Sequence, residues 1–448
     1  MGSGADIKWT SGQRRGYRHN FAFGIANGAF LMLGDTLIHP TLVLALFVSQ
    51  ISHSNLLVGL VPVLSTGVWF LPQLFVAGFV QRSDRRLPLA IWSTVARSVS
   101  IAALGLLGFL IGGRHPSLLL VAFFVAYSIY NLTAGIANVP FVDVIARAVP
   151  ANRLAFFFGQ RNLWGGVLGF MAGFLIQRIL ADQSSFPHGF TILFALSAVA
   201  LAVGTVTMAL ISEPGPAPVR QRTSLASQLR DAPRFFANRH FRRFLTFRAF
   251  LSIAAIADPF YVVYTRQQLG APAAVVGIYV SILTVSLFAA NLLWSPLADR
   301  QGNRLVLQFA ALIRMGIPLL ALALPPLMRW SPISQRGGDH LLYYAFGLVF
   351  LAYGVAITGQ NLANMTYLLD IAPEQERPAY VGLVNTILGV VSFVPIIGGT
   401  LVDHFGFQVL FIVAFLIAFA GVLASGPLHE PRVMDSANLF ARTRRFRR

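Results

Sequence analysis

No cysteine occurs among the 448 residues, which removes disulfides, thiolate catalysis and cysteine-based metal sites together. Charge is scarce as well, since Asp, Glu, Lys and Arg make up only 11% of the chain and acidic residues number 16 against 34 basic ones. A phosphate-cradling loop of the G-x-x-x-x-G-K-S/T kind is missing, and no two histidines stand at metal-ligand spacing. The nine His are dispersed, and His39 is the one that falls deep in an apolar stretch. An enzyme is therefore not expected, and neither a metal nor a cofactor is called for. With 56% hydrophobic residues the chain is too apolar for a soluble globule.

What is present in quantity is long apolar sequence. An α-helix needs about 20 apolar residues to cross the hydrocarbon core of a bilayer. Twelve runs meet that length, at about 20–49, 56–80, 88–112, 117–142, 154–177, 190–211, 244–265, 273–297, 305–327, 341–369, 379–401 and 407–428. Their continuous rather than alternating character excludes a transmembrane β-barrel. The first run is longer than a signal peptide and leads straight into the second, so no cleavable leader is expected.

A net charge of +18 raises the question of nucleic acid, and the location of the charge answers it. With the N-terminus placed inside, segments on the cytoplasmic side carry 25 of the 34 basic residues, among them Arg220 to Arg243 in the central loop and Arg432 to Arg448 in the tail. Outer loops hold five, and Arg97, Arg161, Arg248 and Arg314 lie within the runs. This is the positive-inside pattern, and it predicts both termini in the cytoplasm. The arginines report topology and contact with anionic lipid, with no nucleic-acid partner.

The polar hinge Ser295-Pro-Leu-Ala-Asp299-Arg300-Gln-Gly302-Asn-Arg304 separates two of the runs, and a weaker counterpart, Gly78-Phe-Val-Gln-Arg-Ser-Asp84-Arg85-Arg86, separates an earlier pair. The order Asp299-Arg300-x-Gly302-x-Arg304 resembles the loop signature of the major facilitator superfamily of transporters, G-x-x-x-D-R/K-x-G-R-R/K. The chain also repeats internally. Gly189-Phe190 to Glu213-Pro214 matches Gly406-Phe407 to Glu430-Pro431 at an offset of 217, Arg97 matches Arg314 at the same offset, and His39-Pro40 matches Asp258-Pro259 at 219. The resemblance covers nearly the whole chain. It implies an all-α polytopic membrane protein of 12 transmembrane helices in two pseudo-symmetric six-helix halves. The expected divisions are a cytoplasmic segment 1–19, a first half 20–212, a basic linker 213–243 containing a surface helix from Ser224 to Arg243, a second half 244–431 and a basic tail 432–448.

Ionisable residues at lipid depth cost on the order of 2.5–3.5 kcal/mol each on insertion scales, so they face a cavity or a partner. Asp35 and His39 are four apart on one helical face, with Asn27 two turns below. They read either as a proton-coupling pair or as a static polar contact. In this superfamily the first and seventh helices meet, which implies that His39 pairs with Asp258 when the outer gate is shut. Arg97 and Arg314 are candidates for holding a substrate anion bidentately, against the alternative that each satisfies groups inside its own half. Arg161 reads as a gate or interface residue. Asn131 and Asn361, with Trp69 and Tyr261, complete the expected cavity lining.

In the family the loop Asp caps a neighbouring helix and the loop Arg pairs with an acid ending the fourth helix. The resemblance therefore implies a gating set of Asp299, Arg300, Gly302 and Arg304 with Asp370, and of Gly78, Asp84, Arg85 and Arg86 with Asp143. The first set departs from the pattern, since Arg82 stands where the loop Asp belongs. Asn131, four before Gly135, replaces the fourth-helix Arg of the drug–proton antiporters, and the fifth run lacks their Pro. The implied function is a monomeric, proton-coupled secondary transporter of a small organic solute in the bacterial inner membrane, working by alternating access. Export is favoured over import because the cavity helices are mostly apolar and aromatic. A lipid or lysolipid flippase and a non-transporting receptor or assembly factor are the alternative readings of the same fold.

Overall fold

The computed structural model describes residues 11–430 apart from positions 53, 71, 73–75, 77–84, 183–185, 214, 216–233, 331–333 and 374–375. Gly78 and Asp84 of the first loop, most of the linker 213–243 and the tail 432–448 lie outside the described residues. The described residues form helices joined by short turns, with no strand among them. In chain order the helices are α1 (Ser11–Leu37), α2 (Ala45–Ile51), α3 (Asn55–Val63), α4 (Leu87–Ile111), α5 (Pro116–Ala148), α6 (Ala151–Ile179), α7 (His188–Ala209), α8 (Arg239–Ile253), α9 (Phe260–Gln267), α10 (Val275–Gln301), α11 (Asn303–Trp330), α12 (Ser334–Ala345), α13 (Gly347–Ile371), α14 (Arg377–Val391) and α15 (Val394–Ser425).

Among the described residues, nine helical stretches are long and apolar enough to cross a membrane. One of them, Tyr380–Ser425, is 46 residues long and spans two of the runs predicted from the sequence. Gly406 divides it, since φ of 82° and ψ of 172° are not helical and favour a residue without a Cβ. The run predicted at 56–80 begins as the shorter apolar helical stretch Asn55–Val68. Large apolar side chains face outward, with Trp92 71%, Leu292 79% and Val390 72% exposed, as suits a surface bathed in lipid rather than water.

Proline interrupts two helices at matching places in the repeat. A residue before proline is pushed out of the helical region, and His39 accordingly sits at φ −56° and ψ 124°. α1 stops at Leu37, and a wide π turn, Pro40–Leu44, follows with the amides of Leu42, Val43 and Leu44 all donating to the His39 carbonyl. The second break leads from α8 through a 3₁₀ turn, Ala254–Ala257, to Asp258-Pro259, where α9 begins. α8 itself starts cleanly because Asn238 accepts from the amides of His240 at 2.9 Å and Phe241 at 3.3 Å.

The chain divides into two compact units. The first comprises the described parts of Met1–Ile38, Val68–Ala172 and Ser185–Arg222. Its core joins Leu87, Phe141, Ile145, Phe157 and Met208, with Tyr17 and Phe21 packed against it. Asn27 is wholly buried and donates to the Gly204 carbonyl at 2.8 Å, tying α1 to α7. Asn20 ties the same helices at their ends through Ser212, at 2.9 and 2.8 Å.

The second unit comprises the described parts of His39–Gly67, Gly173–Ser184 and Thr223–Arg448. Its core gathers Phe241, Phe244, Trp294, Tyr367 and Tyr380. Here α3 lies close against α15. A Cβ on Gly59 would fall 2.2 Å from the Pro395 carbonyl oxygen, and one on Gly399 would fall 2.3 Å from that of Asn55. The Asn55 side chain then donates to Asp403 at 2.8 Å. Units divided in this way do not follow the halves of the sequence repeat, because α3 buries its small-residue face on α15.

Candidate functional site

Each unit holds an Asp–Arg–Tyr cluster built from three helices. In the first, the Arg97 guanidinium of α4 meets Asp35 of α1 at 2.5 Å and Tyr130 of α5 at 2.6 Å, and the Tyr130 hydroxyl donates to the same carboxylate oxygen. The guanidinium carbon also stands 4.3 Å from the centre of the Tyr130 ring. Tyr130 is held in turn by a stack along α5, with Phe123 on Tyr127 at 5.5 Å and Tyr127 on Tyr130 at 5.7 Å. In the second unit Arg314 of α11 meets Asp258 at 2.5 Å, and Tyr353 of α13 hydrogen-bonds the same carboxylate. Arg314 lies 5.3 Å from the Tyr353 ring centre.

The clusters differ in access. The Asp35 side chain is 48% exposed, whereas that of Asp258 is 10% exposed and its arginine is buried as well. Asp258 follows the 3₁₀ turn directly, which brings its carboxylate back toward α11, and Tyr261 one turn later stacks on Phe411 at 5.1 Å. Tyr261 is buried.

These contacts reassign several residues. His39 does not share a face with Asp35, because the chain leaves the helix between them. Its ring nitrogen stands 3.4 Å from the Thr41 hydroxyl, and Asp258 is taken by Arg314 and Tyr353. The two expected partners, His39 and Asp258, are thus not brought together. Asn27 is locked on α7, and Asn131 is buried with its amide on the Tyr127 carbonyl at 2.8 Å. Asn361 is exposed. Tyr130 and Tyr353 were not among the residues expected from the sequence. The signal that finds them is their separation of 223, the same as that of Asp35 from Asp258.

A second pair of clusters occupies the loops. Arg86 pairs with Asp143 at 2.5 Å, Arg147 pairs with Asp143 at 2.9 Å, and Arg147 pairs with Glu213 at 3.2 Å. Glu213 also accepts from the amides of Arg86 at 2.7 Å and Leu87 at 3.2 Å, which are unsatisfied donors at the start of α4. In the other unit Glu430 accepts from the Arg304 amide at 2.9 Å, and Asn303 donates to Asp370 at 2.9 Å. Gly302 has φ of 90°, and a Cβ there would fall 2.3 Å from the Glu430 carboxylate, so both conformation and space require glycine. Arg304 turns its side chain to the Gly426 carbonyl at 3.2 Å. Arg85, Asp299 and Arg300 are exposed.

Residues 245–445 match the family model described as Major Facilitator Superfamily. The fold is similar to that of a nucleoside transporter, the NupG D323A mutant, with a TM-score of 0.70 and 15% identity over 91% of this chain and 99% of that one. An auto-inhibited POT family peptide transporter matches with a TM-score of 0.66 and 12% identity over 92% and 97%. A D-xylose–proton symporter matches with a TM-score of 0.65 and 13% identity over 92% and 98%. No curated protein matches the chain by sequence.

Proposed function

We propose that this chain, a major facilitator superfamily protein by the sequence of its second half and by its fold, is a proton-coupled secondary transporter of a small organic solute. It would work by alternating access, with 12 transmembrane helices, both termini in the cytoplasm and the bacterial inner membrane as its location. The observation that carries the reading is the recurrence of one Asp–Arg–Tyr cluster at corresponding helices of a duplicated chain. Six polar groups at lipid depth are costly to insert, and a fold that keeps both copies uses them.

Coupling follows from the difference between the copies. The Asp35 carboxylate is half exposed and bonded by Arg97 and Tyr130, so a proton delivered to it would break that ion pair and release the guanidinium. α1 and α4 would then be free to part. Asp258, closed in with Arg314, keeps the second copy together and serves as the fixed counterpart. The loop clusters at Asp143 and Asp370 would act as the gating contacts at the ends of α5 and α13. Export is the favoured direction, since the helices carrying the clusters are mostly apolar and aromatic.

The test is solute-driven proton movement in liposomes containing the purified protein and an internal pH indicator. The panel would hold a nucleoside, a pentose, a dipeptide and an aromatic carboxylate. One class should drive a pH change that Asp35→Asn abolishes while binding of the solute survives. Solute flux with no proton movement would remove coupling, and no flux for any class would remove transport of these solutes.

A further inference from the structure

Arg97 and Arg314 each have an aspartate, but Arg161 of α6 has none. It has no ion pair or hydrogen bond to any described residue, and its Nε is buried with no acceptor. Its place is nevertheless specified by packing. α6 meets α1 in successive turns, with Phe157 on Gly24, Arg161 on Gly28 and Gly165 on Met32. The arginine stem lies so closely across Gly28 that a Cβ there would fall 1.9 Å from its Cγ and Nε. Its guanidinium carbon stands 4.6 Å from the centre of the Phe141 ring on α5. A side chain reaching for the membrane surface would point along its helix toward water. This one is instead wedged crosswise among α1, α5 and α6, and the residue stays partly exposed.

The charges around Arg161 point to an anion. Asp35 lies seven residues along α1 from Gly28, about 10 Å at the helical rise, and it is already neutralised by Arg97. Two guanidinium groups therefore share one carboxylate, leaving one positive charge uncompensated within apolar helices. Arg161 lies within electrostatic range of Asp35 and Arg97 but bonds neither. A planar guanidinium with open donors binds a carboxylate or phosphate bidentately.

We infer that Arg161 is the anion-binding residue of this unit and that its ligand carries a carboxylate or phosphate. The aromatic face of Phe141 and the bare backbone at Gly28 hold the arginine in place for it. The inference rests on the transport reading for its biological sense, but binding alone tests it. Binding to purified protein would be measured by thermal shift with benzoate, phenyl phosphate, neutral benzyl alcohol and lysophosphatidate.

Benzoate or phenyl phosphate should stabilise the wild type and benzyl alcohol should not. Arg161→Gln should weaken the anion about tenfold or more. Arg161→Lys keeps the charge without the fork and should weaken it less, and it serves as the readout if Arg161→Gln does not fold. Stabilisation by lysophosphatidate alone, lost in Arg161→Gln, keeps the site and assigns its anion to a lipid headgroup. Equal affinity in wild type and both variants, or no response to any anion, overturns the inference. Anion binding without flux in liposomes would sink transport and leave this site standing. Flux of a neutral solute undiminished in Arg161→Gln would do the reverse.

Discussion

Asp35 and Asp258 make the same bonds in different surroundings, so their removal should have different consequences. Asp258→Asn leaves the buried Arg314 guanidinium without a counter-charge, and breaking a buried pair on one side costs about 3–5 kcal/mol. Asp35 is half exposed, so Asp35→Asn should cost no more than about 1 kcal/mol while abolishing proton movement. Thermal denaturation in detergent distinguishes the two, and equal losses of melting temperature would show that exposure does not separate them. The double change Asp258→Ala with Arg314→Leu should recover part of the loss, because it leaves no unpaired charge. Both aspartates were legible as costly intramembrane acids, but their partners were not. Nothing in the local sequence says that Arg97 reaches back 62 residues and Arg314 reaches back 56. The offset of the repeat changes from 217 at the arginines to 223 at the aspartates and tyrosines, which hides the equivalence from a fixed-offset comparison.

Helix ends repeat more faithfully than helix faces. Glu213 and Glu430 are 217 apart, and at the start of the helix that follows a loop Glu213 accepts two amides of α4 and its approach while Glu430 accepts one of α11. Glu213→Ala removes the acceptor of two amides and an ion partner of Arg147, and should cost about 1–2 kcal/mol. Glu430→Ala removes the acceptor of one amide and should cost less. Melting temperatures of the two variants check the order, and a larger loss for Glu430→Ala would mean that the Gly302 turn depends on that carboxylate more than the amide bond does. The Glu-Pro pair was visible as a repeated string, but its role as a cap was not. α1 shows the opposite case, in which a face read at helical spacing fails because Pro40 ends the helix before His39 is reached.

At the scale of the whole molecule, topology is the testable quantity. With 25 of 34 basic residues on one side by the proposed arrangement, the tail should be cytoplasmic. A fluorescent protein fused after Arg448 should mature and fluoresce, whereas a phosphatase that folds only outside the cytoplasm should be inactive at the same place. An active phosphatase there would invert the arrangement or add a crossing. The absence of native cysteine makes single-cysteine labelling of the loops a clean second measure.

Sequence alone determined the helical membrane class, the internal repeat and the family resemblance, because a bilayer reads apolar length locally and a repeat is written in the order of residues. It also pointed to Asp35, Arg97, Asp258 and Arg314, since charge in an apolar run is conspicuous wherever it pairs. Only tertiary structure decided which charges cancel. Arg97 and Arg314 are neutralised, His39 stands apart and Arg161 is left over, because pairing depends on where three helices far apart in the chain come within 3 Å of one another.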